Sequence, residues 1–486
     1  MKFSFVIVLL LGASLLTESI QENCFFFSAF SEDDFKSNRT VIIYNAIKSA
    51  DQSDDSQNIN IDLFDCLSLD RLIALGICKR MEPIVGNYIR THYSAIQSLC
   101  REDDIVTDDK RMRLNGLASY MKKFIFHYLE VLQEHPSQTY MDFDRFKWLE
   151  EILLTRVTLT DNGIERIKPL LEKVQTLKLN FPHYFDKTKE FFDSFLQFCP
   201  NVKRLCIQAI RSDTIVGSDN RWLLRKYPTL EHFELEIINR SEPIAELKTF
   251  FEQNLSIKHL ALNVETILEN SETIKNIQQK FDVLSIFFCH TNTFELARDA
   301  LNKLYGMGKF KELHVYFHVL YNSIFDKTAV DQLKSYNGLT KLYVRGLDDG
   351  VDLSPLINLK KLCLDRASDI ENMKELAQTL INLETIQFIR AELRDIMPFI
   401  KESVKLNKII IYNEIDANTF KLTALNDARM KLTGARKITM YVREDNYLTA
   451  KWSKTGTKLK FIEVKRRASL ELKHDFDYND YWDEIF

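Results

Sequence analysis

Glycine is scarce in this chain, 13 of 486 residues, and proline scarcer still at 9. A phosphate-cradling glycine loop has little to be built from, and most of the chain belongs in ordered elements rather than loops. No G-x-S-x-G, no Walker-type loop and no H-E-x-x-H occurs, so the usual signatures of a serine hydrolase, a P-loop nucleotidase and a zinc protease are missing. A basic excess is missing too: the formal net charge is −4 and the isoelectric point about 6.3, which argues against nucleic acid as a partner. None of the 8 cysteines forms a C-x-x-C pair, which argues against a zinc ribbon. They are scattered, several inside apolar phrases, and read as buried thiols rather than a disulfide framework. His314 and His318 share a strand face but lack further ligands. The expectation is a protein that is not an enzyme, with no catalytic residue, no metal and no cofactor.

Long apolar runs are also few. One stands at the amino terminus, where Lys2 precedes the uncharged stretch Phe3–Leu16, and Thr17 and Ser19 are small enough for a cleavage site. This is the grammar of a secretory signal peptide, too short to span a bilayer comfortably. Nothing later is a candidate membrane span. Asn38, Asn239 and Asn254 sit in N-x-[ST] acceptors, and Ser49–Asn60 reads as a solvated linker.

What the chain has in abundance is one phrase, apolar-x-x-apolar-x-apolar, repeated twelve times. It reads VQTLKL from Val174, VKRLCI from Val202, LEHFEL from Leu230 and IKHLAL from Ile257. It continues from Phe281, Phe310, Leu339, Leu359, Leu383, Leu406 and Ala435 to LKFIEV at Leu459. Successive starts lie roughly 20 to 29 residues apart. Each phrase reads as a short strand: Leu362 and Leu364 point to one side and Cys363 to the other. One unit cannot bury its apolar face alone, so the units are stable only as a stack. Stretches such as Thr188–Asn201 and Ile244–Leu255 carry apolar residues at three- and four-residue spacing and read as helices. Helices are wider than strands, so the stack should curve, with the strands inside. The helical period extends to Arg113–Leu132, and Trp148–Gly163 reads as a degenerate first repeat.

The array resembles leucine-rich repeats of the longer, helix-bearing kind. FLQFCPNVKRLCI (Phe195–Ile207) and LLRKYPTLEHFEL (Leu223–Leu235) carry the likeness best, each a helix end followed at once by a strand. The Asn or Cys that usually follows the strand is out of register, with Pro at 182 and Ala at 367. Ahead of the array, LFDCLSLDRLIALGICKRM (Leu63–Met81) resembles the second half of an F-box. Leu63, Phe64 and Leu67 fit its first segment, Asp70 its turn, Leu72, Ile73 and Leu75 its leucine cluster, and Cys78, Lys79 and Arg80 its closing triplet. The opening Leu-Pro pair and first helix are replaced by Asn58–Asp62. From Ile61 onward the chain is similar to the F-box/leucine-rich-repeat proteins numerous in insects.

The resemblance implies an α/β leucine-rich-repeat solenoid, a horseshoe, preceded by a small all-α F-box-like region. The divisions expected are a signal-peptide-like segment at 1–19, a polar region at 20–60, F-box-like helices at 61–93, a helical connector at 94–149, the array at 150–470 and an acidic aromatic tail at 471–486. It also implies a substrate-recognition adaptor of a Skp–cullin–F-box ubiquitin ligase. Leu63, Phe64, Leu67, Leu72, Ile73, Leu75 and Cys78 would bind the Skp-type linker and so the cullin scaffold. An unknown target protein would be held by the concave face, in the cytoplasm or nucleus. Strand alternation places Phe287, His314, Tyr316, Tyr343, Arg345 and Tyr412 on that face, and aromatics beside arginine are what interface hot spots favour. The signal-like start points the other way, to a secreted repeat protein that binds a protein partner.

Overall fold

In each repeat phrase two apolar residues flank one that points elsewhere, and this alternation builds the molecule. The computed structural model describes residues 85–89, 96–98, 118, 122–127, 145–155, 161–180, 191–211, 220–238, 243–288, 292–317, 325–345, 347–348, 350–366, 370–413, 415, 421–452 and 459–466. The strands are β1 (Ile96–Ser98), β2 (Lys123–His127), β3 (Glu151–Thr155), β4 (Thr176–Asn180), β5 (Arg204–Arg211), β6 (His232–Ile238), β7 (His259–Asn263) and β8 (Phe281–Phe288). They continue as β9 (Phe310–Phe317), β10 (Leu339–Val344), β11 (Lys361–Arg366), β12 (Thr385–Arg390), β13 (Lys408–Ile411), β14 (Ile438–Val442) and β15 (Ile462–Arg466). All twelve phrases contain a strand. The fifteen strands pair strictly in chain order into one sheet, and every pairing is parallel. This is an α/β repeat solenoid.

Helices lie between the strands: α1 (Asp161–Leu171), α2 (Phe191–Leu196), α3 (Leu247–Gln253), α4 (Val264–Glu269), α5 (Ser271–Asn276) and α6 (Thr293–Gly306). After them come α7 (Lys327–Leu333), α8 (Ile370–Thr379), α9 (Leu393–Glu402), α10 (Leu422–Met430) and α11 (Glu444–Trp452). Their apolar residues join one strand face in a single continuous core, to which Leu177, Leu205, Phe233, Leu260, Leu284, Leu313, Leu342, Leu362 and Ile386 each contribute one repeat. Phe233 meets Phe250 of α3 with ring centroids 4.4 Å apart, and Phe288 meets Phe294 of α6 at 4.3 Å. The opposite strand face carries no helix residue in its own buried cluster. Gly338 (φ 79°) turns the chain into β10, and a side chain there would strike the Tyr305 ring 2.6 Å away.

Within the expected helix Arg113–Leu132, a strand forms at Lys123–His127. Residues 123–127 are β2, with Phe124 paired to Ile152 of β3 and packed edge-on against Phe146 at 5.1 Å. KFIFH alternates as a strand does, and a strand edge waiting to be paired outweighs a loose helical period.

The sheet must curve. Fifteen flat strands would span about 67 Å at the usual spacing. Yet the Arg466 guanidinium of β15 lies 5.9 Å from the ring of Tyr88. β1 begins only eight positions after Tyr88, a reach of roughly 28 Å. The two edge strands are therefore drawn toward each other, and the helix-free face is the concave one.

Where strands end, asparagine side chains take over the pairing. Asn263 accepts from the backbone N–H of Ile237 at 3.3 Å and donates to its carbonyl at 2.9 Å. Asn413 does the same for Ala391, and Asn446 for Ile415. Such two-way amide clips satisfy both main-chain groups of the preceding repeat. The backbone ladder that the out-of-register positions 182 and 367 put in question is thus kept, in part, by asparagines elsewhere.

Arg429 of α10 is wholly buried. Its guanidinium donates to the carbonyls of Ile400, Ser403, Val404, Leu406 and Arg436 at 2.8–3.1 Å. It closes the carboxyl end of α9 and the turn into β13, using the five donors that only arginine offers. Arg429→Ala should lower the unfolding free energy by about 3 kcal/mol or more, because several buried carbonyls lose their partner at once. Arg429→Lys should fall between the two. Urea denaturation checks this, and an alanine variant within about 0.5 kcal/mol of the native chain would refute it.

Candidate functional site

The concave face is organised in rows, because parallel in-register strands align equivalent residues. One row runs Lys178, Cys206, Glu234, Ala261, Ser285, His314, Lys341, Lys361, Thr385 and Lys408. The next runs Asn263, Phe287, Tyr316, Tyr343, Cys363, Gln387, Ile410 and Tyr441. Neighbours in a row are one strand spacing apart, about 4.8 Å, so flat side chains stack. Phe287 and Tyr316 lie 5.4 Å apart, Tyr316 and Tyr343 6.3 Å.

This packing corrects the partner-binding patch expected from the sequence. Phe287, His314, Tyr316, Tyr343 and Tyr412 do face away from the repeat core, but they are 3%, 6%, 0%, 2% and 0% exposed. Arg345 is half-buried. Phe287, Tyr316, Tyr343 and Tyr412 form a second apolar cluster with Ala261, Cys363, Ile389 and Ile410. Curvature is the reason: on a concave face side chains converge, so a stack of aromatics covers itself. The alternation was legible in the sequence; the crowding was not. Leu63, Phe64, Leu67, Leu72, Ile73, Leu75 and Cys78 lie outside the described residues, as do His318, the signal-like start and the acidic tail.

Part of the same face is open toward its carboxyl-terminal end. Lys361 and Lys465 are exposed, and Lys408 and Tyr441 half-buried. The Lys408 ammonium stands 4.9 Å over the Tyr441 ring.

In the middle strands the face is polar and still buried. His259 Nε2 and Ser285 Oγ are 2.7 Å apart, and Ser285 also meets the Tyr316 hydroxyl. Lys341 Nζ donates to that hydroxyl at 2.8 Å. Burial, with lesser contributions from its neighbours, brings the Lys341 amine down to about 7. It also drives His259 far below the ordinary histidine range and His314 down to about 4. Glu312 opposes the shift of His314, its carboxylate 3.6 Å from Nε2, while Lys341 and Lys361 reinforce it. His232 and His259 pack edge to face at 4.1 Å, and burial depresses His232 as well.

A second group here escaped the sequence reading. Cys206 of β5 is in register with Glu234 of β6, and His232 stands one pleat along beside Arg204. One ligand atom from each of Cys206, His232 and Glu234 lies within 4.8 Å of the others, all three residues buried. The residues are far apart in sequence, so no spacing motif reveals them. The signal was the equal register of VKRLCI and LEHFEL, which puts R-x-C beside H-x-E. Cys199, Cys206 and Cys363 are free and buried, and burial pushes the Cys199 and Cys206 thiols up to about 12.

No family model matches the chain, and no curated protein matches it. Among solved structures, the crystal structure of the yeast Rad7–Elc1 complex is similar at 13% identity and a TM-score of 0.31, over 73% of this chain and 93% of that one. A likeness at that level fixes neither family nor function. Among the described residues no helix is long and apolar enough to cross a membrane.

The buried histidines give the face a pH dependence whose sign is fixed. His314 holds its proton only below about 4 when folded, against 6.5 when free. Between those values the unfolded chain binds a proton that the folded chain refuses. The contribution of this residue is therefore whole above pH 6.5 and declines as the pH falls toward 4, by about 3 kcal/mol. His314→Gln should make the fall in melting temperature between pH 7.5 and 4.5 shallower, the remainder coming from His232 and His259. An unchanged slope would show that His314 does not titrate this way. Lys341→Met should be neutral or stabilising by about 1 kcal/mol at pH 7, since it removes a buried amine. A loss of more than about 2 kcal/mol in the same melts would contradict that.

Proposed function

We propose that this chain is a protein-recognition adaptor and supplies no catalytic residue of its own. The observation that carries this is the array itself: among the described residues, fifteen parallel strands in chain order present one continuous face, on which Lys361, Lys408, Tyr441 and Lys465 reach solvent at the β11–β15 end. Repeat stacks of this kind give extended binding surfaces rather than enclosed reaction chambers. The open end offers Lys361 and Lys408 from one row and Tyr441 and Lys465 from the next, lysines beside an aromatic with Glu463 at the far end of the first row, which suits an acidic segment of a target protein.

The finer reading is an F-box/leucine-rich-repeat protein of a Skp–cullin–F-box ubiquitin ligase. Its support is the resemblance of Leu63–Met81 to the second half of an F-box, standing ahead of the repeats. Leu63, Phe64, Leu67, Leu72, Ile73, Leu75 and Cys78 would dock the Skp-type linker, and the array would hold the target for ubiquitin transfer by other subunits in the cytoplasm or nucleus. Affinity purification of the carboxyl-terminally tagged full-length chain from cells should recover the linker and the cullin. Leu72→Asp with Leu75→Asp should lose both while the melting temperature of the array is unchanged. Failure of the native chain to recover either subunit, or undiminished recovery by the double variant, would remove the ligase assignment.

The start Met1–Ser19 favours a second reading, a secreted repeat protein that binds a protein partner. That reading expects a shortened, glycosylated product in the medium. Asn254 would not carry the glycan in the folded chain. It is 1% exposed, and its side chain accepts from the Tyr227 N–H at 2.6 Å and donates to the Phe250 carbonyl at 2.8 Å. Modification at Asn38 or Asn239, mapped by mass spectrometry, is the outcome that separates the two readings.

A further inference from the structure

We propose that Cys206, His232 and Glu234 form a binding site for one zinc-like transition-metal ion on the concave face. The three donors are a thiol sulfur, an imidazole nitrogen and a carboxylate oxygen, all within 4.8 Å of one another. His232 Nε2 and Glu234 Oε2 lie 3.6 Å apart, which is the edge of a tetrahedron with bonds of about 2.0–2.3 Å. The sulfur also lies within 4.8 Å of the other two donors and would have to draw in to reach bonding distance of a shared ion.

The second observation is that two of these donors are buried with nothing to bond. His232 Nε2 and Glu234 Oε2 each lack a hydrogen-bond partner, although Glu234 is 0% and His232 9% exposed. Leaving such groups unpaired is costly, and both converge on the same point. The other carboxylate oxygen, Oε1, is already engaged, accepting from Gln208 Nε2 at 2.5 Å. That contact orients the carboxylate so that Oε2 is the atom presented.

The chemistry of the donors selects the ion. A thiolate with an imidazole suits zinc, and is a poor match for calcium or magnesium, which take oxygen ligands. Burial keeps His232 neutral, the form that ligates. The thiol of Cys206 is protonated in the apo chain, so binding would release its proton to solvent and form a metal–sulfur bond. Arg204 and Lys178 face the same point and oppose a cation by their charge. Lys178 is already paired with Glu151 at 3.3 Å. Arg204 lies against Cys206 and Glu234 with its Nε and one Nη buried and also unpartnered, so it could serve as an outer donor to a metal-bound thiolate. The competing arrangement is a swing of the Arg204 guanidinium onto Glu234 as a buried ion pair, leaving no room for a metal. The two are distinguishable.

The test is titration of the chelator-treated full-length protein with cobalt(II) as a spectroscopic stand-in for zinc. The expected result is a sulfur-to-cobalt charge-transfer absorption that saturates at one equivalent and is displaced by zinc. Cys206→Ser should abolish the band, His232→Gln should weaken binding by about tenfold or more, and Cys363→Ser should leave the band intact. Circular dichroism of each variant separates loss of the site from loss of the fold. A native chain that gives no such band, or a band that survives in a folded Cys206→Ser variant, overturns the site.

Discussion

The parallel register between successive strands is the constraint on which everything else here depends. Each strand is shorter than ten residues, and none can bury both its apolar face and its main-chain polar groups alone. Pairing to the next strand satisfies the backbone, and the same pairing aligns Leu205, Phe233 and Leu260 into one apolar stripe. The helices then have a continuous surface to cover. Interruptions of the ladder are repaired locally: by the asparagine clips at Asn263, Asn413 and Asn446, and by Arg429, which gathers five carbonyls at one helix end.

The register also dictates the chemistry of the concave face. A residue type placed at the same pleat of consecutive repeats becomes a row, and a row behaves unlike its members. Three aromatic residues in successive strands become a buried stack. Histidines one strand apart shield one another from water and lose their basicity. A cysteine and a glutamate at equivalent positions become neighbours. The polarity of this face falls into two regions. The buried part, over β4–β10 and reaching Cys363, Ile389 and Ile410 beyond it, is stapled by Lys178, Glu234, Ser285 and Lys341; beside it, over β11–β15, lysines and a tyrosine reach solvent. The first is suited to holding structure or an ion, the second to meeting another protein.

Much of the fold was legible from the residues. The twelve phrases carry their own strands, because alternation at a period of two is a local property. The stretches around Phe191–Leu196 and Leu247–Gln253 carry their own helices for the same kind of reason. Less legible was β2, where a helical spacing of apolar residues competes with the alternation in KFIFH. Which one wins is decided by the neighbouring strand β3, not by the segment. The candidate site was half legible: alternation gives the side of the sheet on which Phe287, His314, Tyr316, Tyr343, Arg345 and Tyr412 lie. It cannot give their exposure, which depends on how tightly the sheet bends.

Short-range pattern in the chain was enough to set the order of strands and helices, the face to which each strand residue points, and the stack that results. Folding in three dimensions decided the curvature, and with it which concave residues are shut in and which remain open. It also decided that Cys206, His232 and Glu234 meet, and that Arg429 reaches five carbonyls across two repeats. These are contacts between residues up to about thirty positions apart, brought together only when one repeat is laid in register on the next.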